Sequence, residues 1–165
     1  MLPIALLLTN TVLAGSLRDL DQRNGFRDLS LGSSCSEVTE FSTDGVPDRD
    51  LVSYIRSSDV LQVGEARLQS IVYSCYRDEL SQVRIIVIGE DNQQTMLDAL
   101  IEAYGEPTTF DEEANARTWG GSRVLLETFS APLSDTLVVC LTSQELLAQR
   151  IQDVIDAKAA AIEDL

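Results

Sequence analysis

The sequence predicts an α+β fold: an antiparallel sheet with helices packed on one face, plus a C-terminal amphipathic helix. Strand-like segments follow one another through short turns, which favours hairpins and therefore antiparallel pairing. One long helical pattern interrupts them at 90–107, and a second follows the last strand. A parallel doubly wound sheet would need a helix between most strands, and the sequence does not supply those helices.

The N-terminal half combines turn-rich segments with short strands. Ser34 and Glu37 have the spacing of a capping box before Val38 and Phe41, so a short helix is expected to begin at Cys35. The predicted elements are a polar lead-in at 15–25, a strand at 26–32, this helix, a loop at 42–50, and strands at 51–56, 60–63 and 67–76.

The next strand, at 82–89, is apolar on both faces. Val83, Ile85 and Val87 alternate with Arg84, Ile86 and Ile88. A strand of this kind is typical of the centre of a sheet that is covered on both sides. The strand at 82–89 is predicted to form a hairpin with the strand at 67–76 through the turn at 77–80.

The clearest helix covers 90–107. Its apolar residues recur at helical spacing, and Asp91 or Asn92 can cap its start. Gly105 supplies a left-handed stop, and Pro107 prevents continuation. Strands follow at 116–119, 122–129 and 136–142.

The C-terminal helix is expected at 143–165, opened by Thr142 and Glu145 at capping-box spacing. Its narrow apolar stripe consists of Leu147, Ile151, Val154 or Ile155, Ile162 and Leu165. Such a helix docks on its own sheet by default. The alternative is weak self-association or capture of a partner, which makes Leu147 and Ile151 candidate partner-binding residues.

Residues 1–14 are predicted to be a signal peptide. The apolar run from Leu2 to Leu8 is shorter than the roughly 20 residues that a membrane-spanning helix needs. It fits an export signal, and Val12-Leu13-Ala14 places small or aliphatic residues where a signal peptidase cuts. An exported protein, periplasmic or secreted, is therefore expected, with no membrane span. The alternative is a buried N-terminal element of a cytosolic protein.

Composition excludes several functions. The formal net charge is −15, so the surface repels phosphate backbones and nucleic acid is not an expected partner. Histidine is absent, which removes imidazole-based catalysis and imidazole-ligated zinc. We predict no catalytic residue, cofactor or metal site. The carboxylates at 44–50 and 111–113 are the candidates for calcium, but their spacing does not supply the six to eight oxygen ligands that calcium needs.

The three cysteines are Cys35, Cys75 and Cys140. In an oxidising compartment two should pair and one should remain free. A Cys35–Cys75 disulfide is favoured, because it would join a helix to a strand, and Cys75–Cys140 is the alternative. The favoured bridge closes a loop of about 40 residues, which corresponds to about 3–4 kcal/mol in the chain-entropy model.

Trp119 precedes the Gly120-Gly121 turn of a predicted hairpin. Exposed at the tip, it would be a candidate partner-binding anchor. The more common outcome for such a residue is packing onto the sheet.

The segments "FRDLSLGSSCSEV", "YRDELSQVRIIV" and "LIEAYGEP" followed by "TW" resemble small exported bacterial α+β domains. The layout is similar to the fold of the BamE/SmpA outer-membrane assembly lipoproteins and of the β-lactamase inhibitor protein, over residues 26–142. The resemblance implies a protein-binding scaffold without catalysis. This chain has Ser16 where a lipoprotein would carry its lipid-bearing cysteine after Leu13-Ala14-Gly15.

The functional expectation is an exported, non-enzymatic domain that binds another protein of the bacterial cell envelope. Two alternatives stay open: a hydrolase acting through paired carboxylates, and an inhibitor of an exported enzyme.

Overall fold

The computed structural model describes residues 15–45, 50–130 and 134–163. The predicted signal peptide, residues 1–14, lies outside the described residues, as does Leu165. The helices are α1 (Leu17–Arg23), α2 (Glu90–Tyr104) and α3 (Gln144–Glu163). The strands are β1 (Gly25–Phe26), β2 (Leu29–Ser30), β3 (Phe41–Thr43), β4 (Leu51–Arg56), β5 (Gln62–Val63), β6 (Ala66–Arg67), β7 (Ser70–Tyr76), β8 (Glu79–Ile88), β9 (Thr109–Asp111), β10 (Ala116–Gly120), β11 (Val124–Ser130) and β12 (Thr136–Ser143).

Eight strands form one antiparallel sheet in the order β3-β4-β7-β8-β12-β11-β10-β9. Strands β1 with β2 and β5 with β6 form separate two-stranded hairpins. Because β12 pairs with β8, the last strand lies at the centre of the sheet, and β9 to β11 continue it outward. The predicted α+β class with an antiparallel sheet and a C-terminal helix is confirmed.

One face of the sheet carries the hydrophobic core. Alternate side chains of the central strands point to this face, including Ile85 of β8 opposite Val139 of β12. Helix α2 packs on β8 and β6, and α1 packs on α2. The largest fully buried side chains are Trp119, Tyr73, Leu20, Leu80, Ile85, Met96, Leu126 and Leu137.

Helix α1 replaces part of the polar lead-in expected at 15–25. Ser16 and Asp19 form a capping box at its start, and Asn24 adopts a left-handed conformation at its end. Leu20 is 1% exposed and belongs to the core. The helix has a single fully buried residue, so its sequence shows little apolar periodicity.

The helix expected from Cys35 is a loop in the structure. Ser34 forms an isolated antiparallel bridge with Glu79, and the Cys35 N–H donates to the Asp78 carbonyl oxygen. The hydroxyl groups of Ser34 and Ser36 donate to the Asp78 carboxylate. The capping-box prediction was wrong because these polar groups bond to the β7–β8 turn instead of to a helix start.

Helix capping also differs from the predictions for α2 and α3. Gly89 precedes α2, whereas the Asn92 side chain accepts from the Arg67 N–H and donates to the Arg67 carbonyl oxygen. The Ser143 hydroxyl, rather than that of Thr142, accepts the Leu146 N–H in the first turn of α3. Gly105 ends α2 as expected.

The structure contains the favoured Cys35–Cys75 disulfide, with the two Cα atoms 6.4 Å apart. It attaches the loop after β2 to strand β7. Cys140 is the free cysteine, and it is buried. Burial raises the pKa of its thiol to about 11, which leaves it protonated at neutral pH.

The tip of the β10–β11 hairpin is attached to α1 by the Asp21 carboxylate. It accepts the backbone N–H groups of Ser122, Arg123 and Val124 at 2.7–3.0 Å, and the Ser122 hydroxyl at 2.7 Å. Partial burial opposes ionisation of the carboxyl group, but these donors outweigh it and lower its pKa to about 2. A Cβ at Gly121 would lie 2.3 Å from Asp21 Oδ1, so a side chain there would displace the carboxylate.

Candidate protein-interaction surfaces

The second face of the sheet presents an apolar patch, which we call the open face. It is formed by Ile86 and Ile88 of β8, Val138 of β12 and Phe129 of β11. Val138 lies opposite both Ile86 and Phe129 in the strand register, so these three form one row across three strands. Ile88 and Phe129 are each 44% exposed.

The expectation that β8 is covered on both sides was wrong. β8 is central, and Val83, Ile85 and Val87 are buried in the core. Ile86 and Ile88 alternate with these core residues and stay partly exposed, and Ile88 lines a cleft beside the first turns of α2. The signal for this patch was present in the sequence as apolar residues on both faces of neighbouring strands.

A polar row borders the apolar row on the same face. Arg84 of β8, Cys140 of β12 and Glu127 of β11 lie side by side in register. Cys140 is 6% exposed, while the two charged side chains are half-buried. The open face therefore combines apolar area with one cation and one anion that could pair with charges of a partner.

Helix α3 lies against one end of this second face. Tyr76 of β7 alternates with the core residue Cys75, and its hydroxyl donates to the Asp153 carboxylate of α3. Arg77 Nη1 lies 3.0 Å from Asp153 Oδ2. Leu146, in the first turn, is 5% exposed. The helix is thus attached through Leu146 and Asp153.

The apolar stripe predicted for this helix is not the side that docks. Leu147 is half-buried, but Ile151 and Ile155 are each 52% exposed, Val154 45% and Ile162 70%. Residues 155–162 are all exposed, so the second half of α3 carries its apolar side chains without cover from the described part of the chain. A partner-binding role for Leu147 and Ile151 stays a prediction.

Trp119 does not contribute to an exposed surface. It is fully buried, and its indole N–H donates to the Gly105 carbonyl oxygen at 2.7 Å. The hypothesis that Trp119 anchors a partner is therefore wrong. Strand β10 places this side chain on the core face, opposite Leu126 of β11, where it bonds to the residue that ends α2.

A small cavity lies between α3, the hairpin tip and the β2 loop. Glu79, Arg123, Glu145 and Gln149 are among its lining residues, and its volume is about 210 Å³. Small-molecule sites usually occupy about 300–1,000 Å³. Three more open clefts reach that range, at about 460–500 Å³. Across the described residues, no three cysteine, aspartate or glutamate side chains form a cluster able to hold a metal ion.

Comparison with protein-family models, curated proteins and solved structures finds no match. The resemblance to the BamE/SmpA and β-lactamase inhibitor fold therefore stays a prediction. None of the helices in the described ranges is both long and apolar enough to cross a membrane.

Proposed function

We propose that this chain is an exported, non-enzymatic domain that binds another protein of the bacterial cell envelope through the open face. The observation that carries the proposal is the row of Ile86, Val138 and Phe129, with Ile88 beside it, on the partly uncovered side of the sheet. Apolar patches rimmed by polar residues are typical of protein-interaction sites. The Cys35–Cys75 disulfide supports an oxidising compartment.

Charge selects the class of partner. The chain carries a formal net charge of −15, so a second copy is repelled at low ionic strength. A basic protein is attracted by the same field, which accelerates encounter, and a neutral protein is not repelled by it. We therefore propose a basic or neutral envelope protein as the partner, and weak self-association through α3 as the alternative.

The experiment compares surface variants in pull-downs from an envelope extract. Phe129→Glu places a charge at an exposed position of the open face, whereas Val60→Glu makes the same kind of change at a 68% exposed position outside it. We expect wild type and Val60→Glu to recover one stoichiometric protein and Phe129→Glu to lose it. Equal recovery by all three, or repeated recovery of nothing by wild type, contradicts the proposal.

The contribution of α3 is tested separately with Ile155→Glu. Sedimentation equilibrium of wild type at several concentrations reports self-association, and the variant reports whether the exposed stripe carries it. If the captured protein is an exported enzyme whose activity falls on binding, the inhibitor alternative is favoured.

A further inference from the structure

Gly15 lies against the C-terminal end of helix α2. Its backbone N–H donates to the Glu102 carbonyl oxygen at 3.1 Å, immediately before Ser16 caps α1. A Cβ at this position would lie 1.9 Å from the carbonyl oxygen of Ala103. A backbone atom cannot move away from such a contact without disturbing the helix end, so glycine is required here.

The last turn of α2 has no basic residue of its own, and the basic side chain that contacts it is Arg23 of α1, which donates to the Tyr104 hydroxyl at 3.4 Å. The first turn of α2 carries two acidic residues, which suit the positive end of the helix dipole, whereas the last turn is the negative end. Unpaired carbonyl oxygens concentrate at this end. A cation placed beside Glu102 and Ala103 would therefore be favoured by both the dipole and the available acceptors.

We propose that the mature chain begins at Gly15 and that its α-ammonium group binds to the C-terminal carbonyl oxygens of α2. In the maturation step a signal peptidase, an endopeptidase of the export pathway, hydrolyses the Ala14–Gly15 peptide bond with one water molecule. Ala14 keeps the carboxylate, and the Gly15 nitrogen takes up two protons to become an ammonium. This cleavage requires that the chain is exported, so it rests on the proposed function.

Cleavage changes what this nitrogen can do. Within the chain it is an amide with one N–H, whereas a terminal ammonium has three donors and a full positive charge. The ionisable groups of α1 are Arg18, Asp19, Asp21 and Arg23. At the C-terminal end of α2 they are Glu102 and Tyr104, with Glu106 just beyond it, while Glu90, Asp91 and Asp98 lie earlier in that helix. The carboxylates are in the majority, so they add to the attraction exerted by the helix end.

The first test is the identity of the mature N-terminus. Intact mass and N-terminal sequencing of the protein recovered from the exported fraction should give a chain that starts at Gly15. A chain that keeps residues 1–14, or one that starts at any other residue, overturns the proposal.

The second test compares two purified chains released from a cleavable tag, one beginning at Gly15 and one at Ala14. They carry the same charges, but in the second the ammonium is displaced from Glu102 by one residue. Lys158, the one lysine in the sequence, is exposed and serves as the internal reference for competitive amine labelling. The pKa of the Gly15 ammonium should exceed the usual value of about 8 by about 0.3–0.7, and that of Ala14 should not.

Thermal unfolding gives an independent readout. A group whose pKa is raised on folding stabilises the protein below its unfolded pKa, and the effect is lost as the pH rises through the folded pKa. The chain that begins at Gly15 should therefore unfold about 1–3 °C higher than the chain that begins at Ala14 at pH 6, and at the same temperature at pH 10. Equal values at pH 6, or a difference that persists at pH 10, overturn the proposal. Neither readout depends on a binding partner, so failure here is distinguishable from failure of the proposed function.

Discussion

Replacing Asp21 with asparagine should destabilise the fold through the β10–β11 hairpin tip. The Asp21 carboxylate accepts three backbone N–H groups and one hydroxyl, all from Ser122, Arg123 and Val124. An asparagine of nearly the same shape has one acceptor oxygen and turns an NH₂ group toward the remaining donors. Backbone N–H groups at the tip would then lose a charged acceptor.

The pKa of Asp21 sets the size of the effect. A folded value of about 2 against the ordinary 3.8 corresponds to about 2.4 kcal/mol at about 1.36 kcal/mol per pKa unit. The side chain is partly exposed, so solvent screening reduces this, and we expect a loss of about 1–2 kcal/mol. For a chain of this size that corresponds to a melting temperature lower by about 2–8 °C.

The assay is urea unfolding of wild type and Asp21→Asn at pH 7 and at several lower pH values. Because the folded pKa is depressed, the stabilisation is complete above the unfolded pKa, near 4, and disappears as the pH falls through about 2. Asp156→Asn is the matched control, since Asp156 is exposed and bonds to Gln152 one turn away on α3. A loss at pH 7 no larger than that of the control, or one that does not shrink toward pH 2, would refute the reasoning.

Three further predictions concern buried side chains. Replacing Cys35 and Cys75 together with serine should cost about 3–4 kcal/mol of unfolding free energy in urea titrations, because the bridge spans a sequence separation of 40; a loss below about 1 kcal/mol would contradict the chain-entropy argument. Trp119→Phe should cost about 1–3 kcal/mol in thermal unfolding, since it leaves the Gly105 carbonyl oxygen without its donor and opens a small cavity; an unchanged melting temperature would contradict this. Cys140 should react with a thiol reagent at pH 8 at least about 10-fold more slowly in the native protein than in denaturant, because burial keeps its thiol protonated; equal rates would contradict its burial.

The sequence predicted those elements whose cause is local. The strand at 51–56 and the α2 stop at Gly105 depend on side chains and turns within a few residues, and both are found. The Cys35–Cys75 bridge was favoured for the wrong local reason, because Cys35 lies in a loop rather than at a helix start. The pairing still forms, because the loop is bonded to the β7–β8 hairpin through the Cys35 N–H and the Asp78 carbonyl oxygen.

The features that were missed depend on contacts between distant parts of the chain. The acceptors and donors at Asp21 and Ser122 are separated by 101 residues, and no spacing rule connects them. Asn92 was predicted as a helix cap, but it bonds to Arg67, which is 25 residues earlier. Asn92 takes a tertiary partner in place of the predicted capping role, whereas Asp21, for which the sequence predicts no role, takes partners that only the fold brings near it.

Strand β8 links the failed prediction to the proposed function. Its sequence has apolar residues on both faces, Ile85 and Val87 on one and Ile86 and Ile88 on the other. This pattern predicts a strand that is covered on both sides. The fold places α2 on one face and covers only one end of the other with α3, which leaves Ile88 44% exposed. The part of an apolar side chain that stays exposed on a central strand does not stabilise the isolated domain, because its burial free energy is realised only when a partner covers it. Local sequence rules are expected to fail where a chain is adapted to bind, and here the failure coincides with the row of Ile86, Val138 and Phe129. If Phe129→Glu retained both the full stability and every binding partner of the wild type, this connection between pattern and function would be broken.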